Sequence, residues 1–424
     1  MIRLICCVLL VAPVCFAETS IVQWDSLEMV EQRGLIAEFD ESRGVKVVAG
    51  EPDSNHDYAW VSFDHPDGQW DLSLISEITA TIKNGSENET EVMLWVCAAN
   101  GWSAVGGFGK LVPGEAREFN VNLHECYPDK TPKIDPQKVN RLQIMVRRAA
   151  PDLDLDVSSI VLRGKRGEVN LPEGRVIVPE IEKGAPSPGR RVRYRLAGDE
   201  NSGIYSVLYL PPSWEKGSQY PVIVEYPGNI FLNRKCYSTG LPDQCVIGYG
   251  MTKGKGVIIL SLPFLDRTAD RIIESGFGNI DDTTAYAKSA IEEVIEKFGG
   301  DRDNMVLTGF SRGSIACGFI GLRDDEIASY WKGIHGCQHY DGSSWRESKM
   351  EEAVERAKRF QGIAIFQTDN DRKKYAPLVA TTDPSVEWTW AKSGLGFHAT
   401  AMFLDDRPST VQLREWFRLL IASR

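Results

Sequence analysis

The chain has 424 residues, 42% of them hydrophobic and 25% charged, with a formal net charge of −11. That balance excludes wholesale disorder, and without a dense Lys/Arg run it argues against a nucleic-acid partner. The length exceeds one domain of the commonest size, so two are expected.

The N-terminus reads as a secretory signal over residues 1–17. Arg3 supplies the positive charge, Leu4 to Phe16 is apolar, and Cys15-Phe16-Ala17 offers small residues for cleavage before Glu18. The apolar run falls short of the roughly 20 residues that span a bilayer, so the expectation is a secreted or periplasmic protein. Of nine cysteines, Cys6, Cys7 and Cys15 would leave with the signal. Cys97, Cys126, Cys236, Cys245, Cys317 and Cys337 remain, an even set that permits disulfides in an exported protein. Cys236 and Cys245 bracket the polar loop 237–244 and are expected to pair. Cys317 and Cys337 fit either a pair or two buried thiols. No Cys-x-x-Cys or paired-His spacing suggests a metal, and no cofactor motif is present.

Residues 18–165 run as short alternating or apolar segments between turns. Tyr58–Phe63, Glu77–Ile82, Glu91–Val96, Arg117–Asn122, Arg141–Val146 and Leu155–Leu162 are predicted strands. Such spacing with little helical period indicates an all-β sandwich or jelly roll. The phrase Trp70 to Asn84, with the closing run Ser158 to Gly164, resembles galactose-binding-like modules appended to polysaccharide-degrading enzymes, which implies a carbohydrate-binding role. Residues 166–192 are rich in Pro and Gly and read as a linker.

From 193 to 424 strands alternate with helices. A hairpin from Arg193 to Leu210 precedes strands Tyr220–Tyr226 and Val257–Leu262 and an amphipathic helix from Asp281 to Phe298. Strands Met305–Leu307, Trp331–His335, Gly362–Phe366 and Val386–Trp390 follow, separated by helices at Ser314–Leu322 and Lys349–Phe360 and closed by a helix at Thr410–Ala422. That order predicts a mostly parallel sheet with helices on both faces. Trp388 and Trp390 are expected in its core.

The chemistry centres on Gly309-Phe310-Ser311-Arg312-Gly313, a Gly-x-Ser-x-Gly run between a predicted strand and a predicted helix. A serine on such a turn presents its hydroxyl at a helix N-terminus, and the glycines permit the tight turn and the close approach of helix to sheet. The hydroxyl needs a base, held in turn by a carboxylate, in the chain order Ser, acid, His. His398, in Gly394-Leu-Gly-Phe-His-Ala-Thr400, stands where the base is expected. The acid should follow strand Gly362–Phe366. Asp371 fits the spacing best, Asp369 is the closer alternative and Asp341 a remoter one. An oxyanion hole would draw one N–H from Arg312 and another from Asn229 or Ile230, since Pro227 has none. His339 and Tyr340, on the loop after Trp331–His335, are candidate substrate contacts.

These motifs resemble the α/β-hydrolase superfamily, and within it secreted carbohydrate esterases and polyester-type esterases. Arg312 directly after the serine is similar to glucuronoyl esterases, where such an arginine helps stabilise the oxyanion. Phe310 and Ser314 depart from the Cys and Lys that those enzymes carry. The resemblance implies a serine esterase that removes acyl, feruloyl or uronoyl groups from polysaccharide, with polysaccharide or oligosaccharide ester as its partner. The alternatives are a prolyl-oligopeptidase-type peptidase and a non-catalytic binding protein on the same fold.

Overall fold

The computed structural model describes residues 20–40, 44–51, 57–98, 104–164, 171–233, 236–360, 362–396 and 398–422. The signal segment expected at 1–17 lies outside them, as do the first residues of the linker.

The N-terminal part packs two antiparallel sheets face to face. One has five strands, in the order Glu28–Arg33, Tyr58–Asp64, Val139–Arg147, Thr90–Ala98, Ala104–Leu111. The other has seven, with Glu77–Asn84 paired on one edge to Ala116–Asn122. On its other edge lie Asp154–Val157 and Ile160–Arg163 end to end. Inward residues such as Phe63, Ile82, Leu94, Ile144 and Leu155 form a closed core between the sheets. The single run expected over Leu155–Leu162 breaks in two at Ser158-Ser159. There the Ser158 hydroxyl accepts the Thr81 N–H at 2.9 Å and replaces a ladder bond. Strand Ala104–Leu111 gives no alternating signal because it holds Gly106, Gly107 and Gly109. A side chain at Gly107 would meet the Asn120 carbonyl at 2.8 Å, so the glycine permits a close approach of the opposite sheet.

Beyond residue 180 a nine-stranded sheet runs in the order Ile181–Glu182, Arg191–Tyr194, Ser206–Tyr209, Ile258–Ser261, Tyr220–Tyr226, Gly300–Phe310, Trp331–Cys337, Ala364–Thr368, Glu387–Ala391. Ser206–Tyr209 is antiparallel to both neighbours, and the other pairings are parallel. Each central strand is buried on both sides, as crossover helices require. Val222, Val224, Met305 and Leu307 face helix Ile280–Phe298 on one side. Ile223, Val306 and Phe366 face helices Ile247–Thr252 and Pro408–Ala422 on the other. Helix Ile280–Phe298 starts where the Asn279 side chain accepts the Asp282 N–H and stops at Gly299 in the left-handed region. Trp388 and Trp390 lie on the last strand, half-buried rather than fully in the core, with rings stacked 5.7 Å apart.

One element is absent from the sequence expectations. Phe231–Asn233 and Cys236–Ser238 pair as a short hairpin on the loop after Tyr220–Tyr226. Cys236 and Cys245, expected to bridge this loop, are both free, buried thiols. They serve different packing. Cys236 sits on the hairpin against the Phe310 and Val246 cluster, while Cys245 lies beneath Glu225 and the Arg191 guanidinium. Burial pushes the Cys236 thiol up to about 12, as befits an inert packed sulfhydryl. Cys317 and Cys337 are likewise free and buried.

Candidate active site

Strand Gly300–Phe310 runs directly into helix Arg312–Phe319, and Ser311 is the joint. Its φ of 54° and ψ of −114° fall where a non-glycine residue is strained, at a cost of order 1–3 kcal/mol. The surroundings impose this geometry. The Ser311 N–H still donates to the Cys337 carbonyl at 2.9 Å, prolonging the sheet, while its own carbonyl accepts from Ile315 N–H and starts the helix. Side chains at either flanking glycine would collide with backbone. A Cβ on Gly309 would lie 2.2 Å from Gly313 C, and one on Gly313 2.0 Å from the Tyr226 carbonyl oxygen. No side chain caps this helix, so its first N–H groups face the serine hydroxyl's surroundings.

Ser311 opens into a cavity of about 390 Å³, lined by Asn229, Phe231, Cys236, Ser238, Phe310, Arg312, Ile315, His339, Trp345 and His398. The volume suits a small organic group. His398 is half-buried among rings. Phe310 lies 4.5 Å from it, His339 5.6 Å and Phe231 6.5 Å. Burial first, and then repulsion from His339, pull its pKa down to about 4, so it is neutral at neutral pH. No hydrogen bond joins it to Ser311 or to a carboxylate among the described residues. His339 stands at the rim of the cavity, its pKa also lowered by burial and by Lys374.

The two acid candidates stand differently. Asp371 is exposed and accepts the Lys373 N–H at 3.0 Å in a turn. Asp369 ends strand Ala364–Thr368 with φ of 57°, and its carboxylate takes both the N–H (2.8 Å) and the hydroxyl of Ser393. It thereby pins the residue from which the His398 loop departs. Asp341 is engaged elsewhere, in a buried pair with Arg356 at 2.7 Å. Tyr340 turns away from the serine cavity and packs on Tyr375, ring to ring at 4.2 Å.

On the opposite side, Ile230 donates its N–H to the Glu274 carbonyl at 2.9 Å. Of the two residues considered for the second oxyanion donor, only Asn229 therefore keeps a free N–H. The Asn229 side chain braces the loop, accepting from Gly276 N–H at 2.9 Å and donating to the Ile230 carbonyl at 2.9 Å.

Arg312 is the largest departure from sequence expectation. Its guanidinium is buried and donates to four carbonyls: Ile273 (3.0 Å) and Gly276 (2.8 Å) through Nη1, Gly228 (2.7 Å) and Gly240 (2.8 Å) through Nη2. It also lies over the Phe264 ring at 4.0 Å. Burial lowers its pKa to about 9. The side chain thus ties together the three loops that wall the cavity. Glu225, which sequence reasoning passed over, ends the neighbouring strand and accepts the N–H groups of Val246, Ile247 and Gly248 at 2.8–3.1 Å, capping helix Ile247–Thr252. Nothing in its sequence context marks it. Among the described residues, no group of three or more His, Cys, Asp or Glu side chains could hold a metal ion.

No family model matches the chain, and no curated protein matches it. Solved structures similar to it include an arylesterase at 11% identity, with 57% of this chain and 87% of that one covered and a TM-score of 0.37. A thermostable esterase is similar at 12% identity, with 92% and 99% covered and a TM-score of 0.35. PfGH50B is similar at 14% identity and a TM-score of 0.29, with 51% of this chain covered but only 38% of that one. These are distant likenesses.

Proposed function

We propose that the chain is a serine esterase of the α/β-hydrolase type, secreted or periplasmic, that removes acyl groups from decorated polysaccharide. The observation that carries this reading is Ser311, held strained at the uncapped start of a helix and opening into the same cavity as a neutral His398. In the proposed reaction His398 takes the Ser311 proton as the oxygen attacks the ester carbonyl. The Arg312 and Asn229 N–H groups receive the oxyanion, and as it collapses His398 gives its proton to the departing alcohol. His398 then takes a proton from the water that attacks the acyl-enzyme and returns it to the Ser311 oxygen as the acid leaves. Asp369 or Asp371 would orient the imidazole.

The lining bears on the acyl group. Phe231, Phe310, Ile315 and Trp345 supply apolar and aromatic surface. Two of the polar groups there are already engaged, the terminal nitrogens of Arg312 by four carbonyls and the Asn229 amide by its own loop, while the buried Ser238 hydroxyl has no hydrogen-bond partner and could meet one polar atom of an acyl group. An acetyl or feruloyl group fits this surface better than a uronoyl one. A panel of acetylated, feruloylated and methyl-glucuronoyl substrates, run beside fluorophosphonate labelling mapped by mass spectrometry, tests both statements. Labelling at Ser311 with turnover of the first two classes is expected. No labelling and no turnover of any ester would overturn the reading.

A further inference from the structure

The outer face of the five-stranded sheet, the broad apolar surface on which a polymer could lie, is covered by the molecule itself. Trp60, Met93, Trp95 and Met145 on that face bury Ile230 and, on the 231–238 hairpin that follows it, Leu232 and Tyr237. Trp95 and Tyr237 meet edge to face at 4.9 Å, and the Tyr237 hydroxyl donates to Gln143 Oε1 at 3.2 Å. The opposite side of the same hairpin contributes Phe231, Cys236 and Ser238 to the serine cavity. A single two-stranded ribbon is marginal on its own, so its shape depends on the sheet beneath it.

Two ion pairs extend this support to both walls of the cavity. Arg33 stacks over Trp60 at 4.6 Å and pairs with the buried Glu274. The backbone carbonyl of the same residue accepts the Ile230 N–H at 2.9 Å, the bond that leaves Asn229 as the remaining oxyanion donor. On the other wall Arg407 joins Asp129 of the sandwich (3.0 Å) to the Ser393 carbonyl (3.0 Å), at the root of the His398 loop.

We infer that the β-sandwich is a working part of the catalytic pocket, with Arg33 a positioning residue that acts through Glu274 on the 228–240 loop and Asp129 one that acts through Arg407 on the His398 loop. The inference rests on the esterase reading. It differs from tethering, in which deletion of a sugar-binding domain would spare small soluble substrates.

The experiment uses the full chain and p-nitrophenyl acetate. R33A should lower kcat about 10-fold with KM nearly unchanged, because a displaced oxyanion donor weakens the transition state more than the ground state. R33K should recover part of that loss, and E274Q should add little to R33A, since the two act in one chain of contacts. Hydrogen exchange supplies a readout independent of turnover: amides of 228–240 should exchange faster in R33A, and those of 393–400 in D129A, while the core of the nine-stranded sheet stays protected. Wild-type kcat in R33A together with unchanged exchange in both segments would overturn the inference. If the wild type turns over no ester, the esterase reading fails by itself, and faster exchange in those segments still decides whether the sandwich supports them.

Discussion

The two halves of the cavity are built differently. The half around Ser311 is held by main chain and by one side chain that binds main chain. Ser311 is fixed by its own strand and helix, the flanking glycines leave no room for another path, and Arg312 bonds four carbonyls at once. The base half is a loop. His398 is held by ring contacts alone among the described residues, and Asp369 reaches Ser393 rather than the imidazole. On the proposed esterase reading, the difference separates two tasks: the Ser311 turn that would present the oxyanion donors is fixed by the strand and helix, whereas His398, the proposed base, makes no hydrogen bond to Ser311 among the described residues.

The most severe way to break the comparison is to remove the group on which the built half converges. S311A should lower ester turnover by about 10⁴-fold or more while far-UV circular dichroism stays native. Wild-type-like turnover in that variant would assign the built half to architecture alone.

The contrast also explains what the sequence discloses. Gly309-x-Ser311-x-Gly313 was legible because glycines are the one residue type that a backbone collision dictates, and the collisions are present. Strands Tyr220–Tyr226 and Trp331–Cys337 were legible because burial on both faces demands a continuous apolar run. The hairpin 231–238 was not, since its apolar residues pack on a distant sheet and its pairing is too short to show a period. The role of the Arg312 side chain was illegible for a related reason. Its partners are main-chain carbonyls, which carry no residue identity. The expected Cys236–Cys245 bridge failed because spacing reports a short loop but not that its ends belong to separate packing clusters.

The next test sharpens the loose half. D369N should cost on the order of 10²–10⁴-fold in kcat, because it releases Ser393 and with it the root of the His398 loop, or because it withdraws the carboxylate that orients the imidazole. D371N, altering an exposed turn, should stay within about threefold of wild type. The reverse ranking would place the orienting acid at Asp371 and require the 369–373 turn to refold around His398.

A smaller effect probes the built half from its side chain. R312K keeps the charge but cannot bond four carbonyls in one plane. Loss of the fork should cost roughly 2–4 kcal/mol of stability, measured by urea unfolding, and about 10-fold in kcat as the loops carrying Asn229 and Phe231 relax. If stability falls and kcat does not, the arginine holds the fold without shaping the oxyanion site.

The mildest perturbation is a proton. With the His398 pKa near 4, the base is unprotonated across the neutral range, so kcat/KM should be level from about pH 8 down to pH 5. It should fall about tenfold per pH unit only below pH 4, because a group with a lowered pKa loses its neutral form only when the pH drops through that lowered value. H339N removes the repelling neighbour and should move this limb upward by a fraction of a pH unit, since burial, the larger cause, remains. Circular dichroism along the same series separates inactivation from acid unfolding. A limb near pH 6.5 or higher in the wild type would mean that an ionised carboxylate meets the imidazole in solution, favouring its charged form against the cost of burial. The base half would then be assembled in the working enzyme, and the contrast between the two halves would belong to the resting state alone.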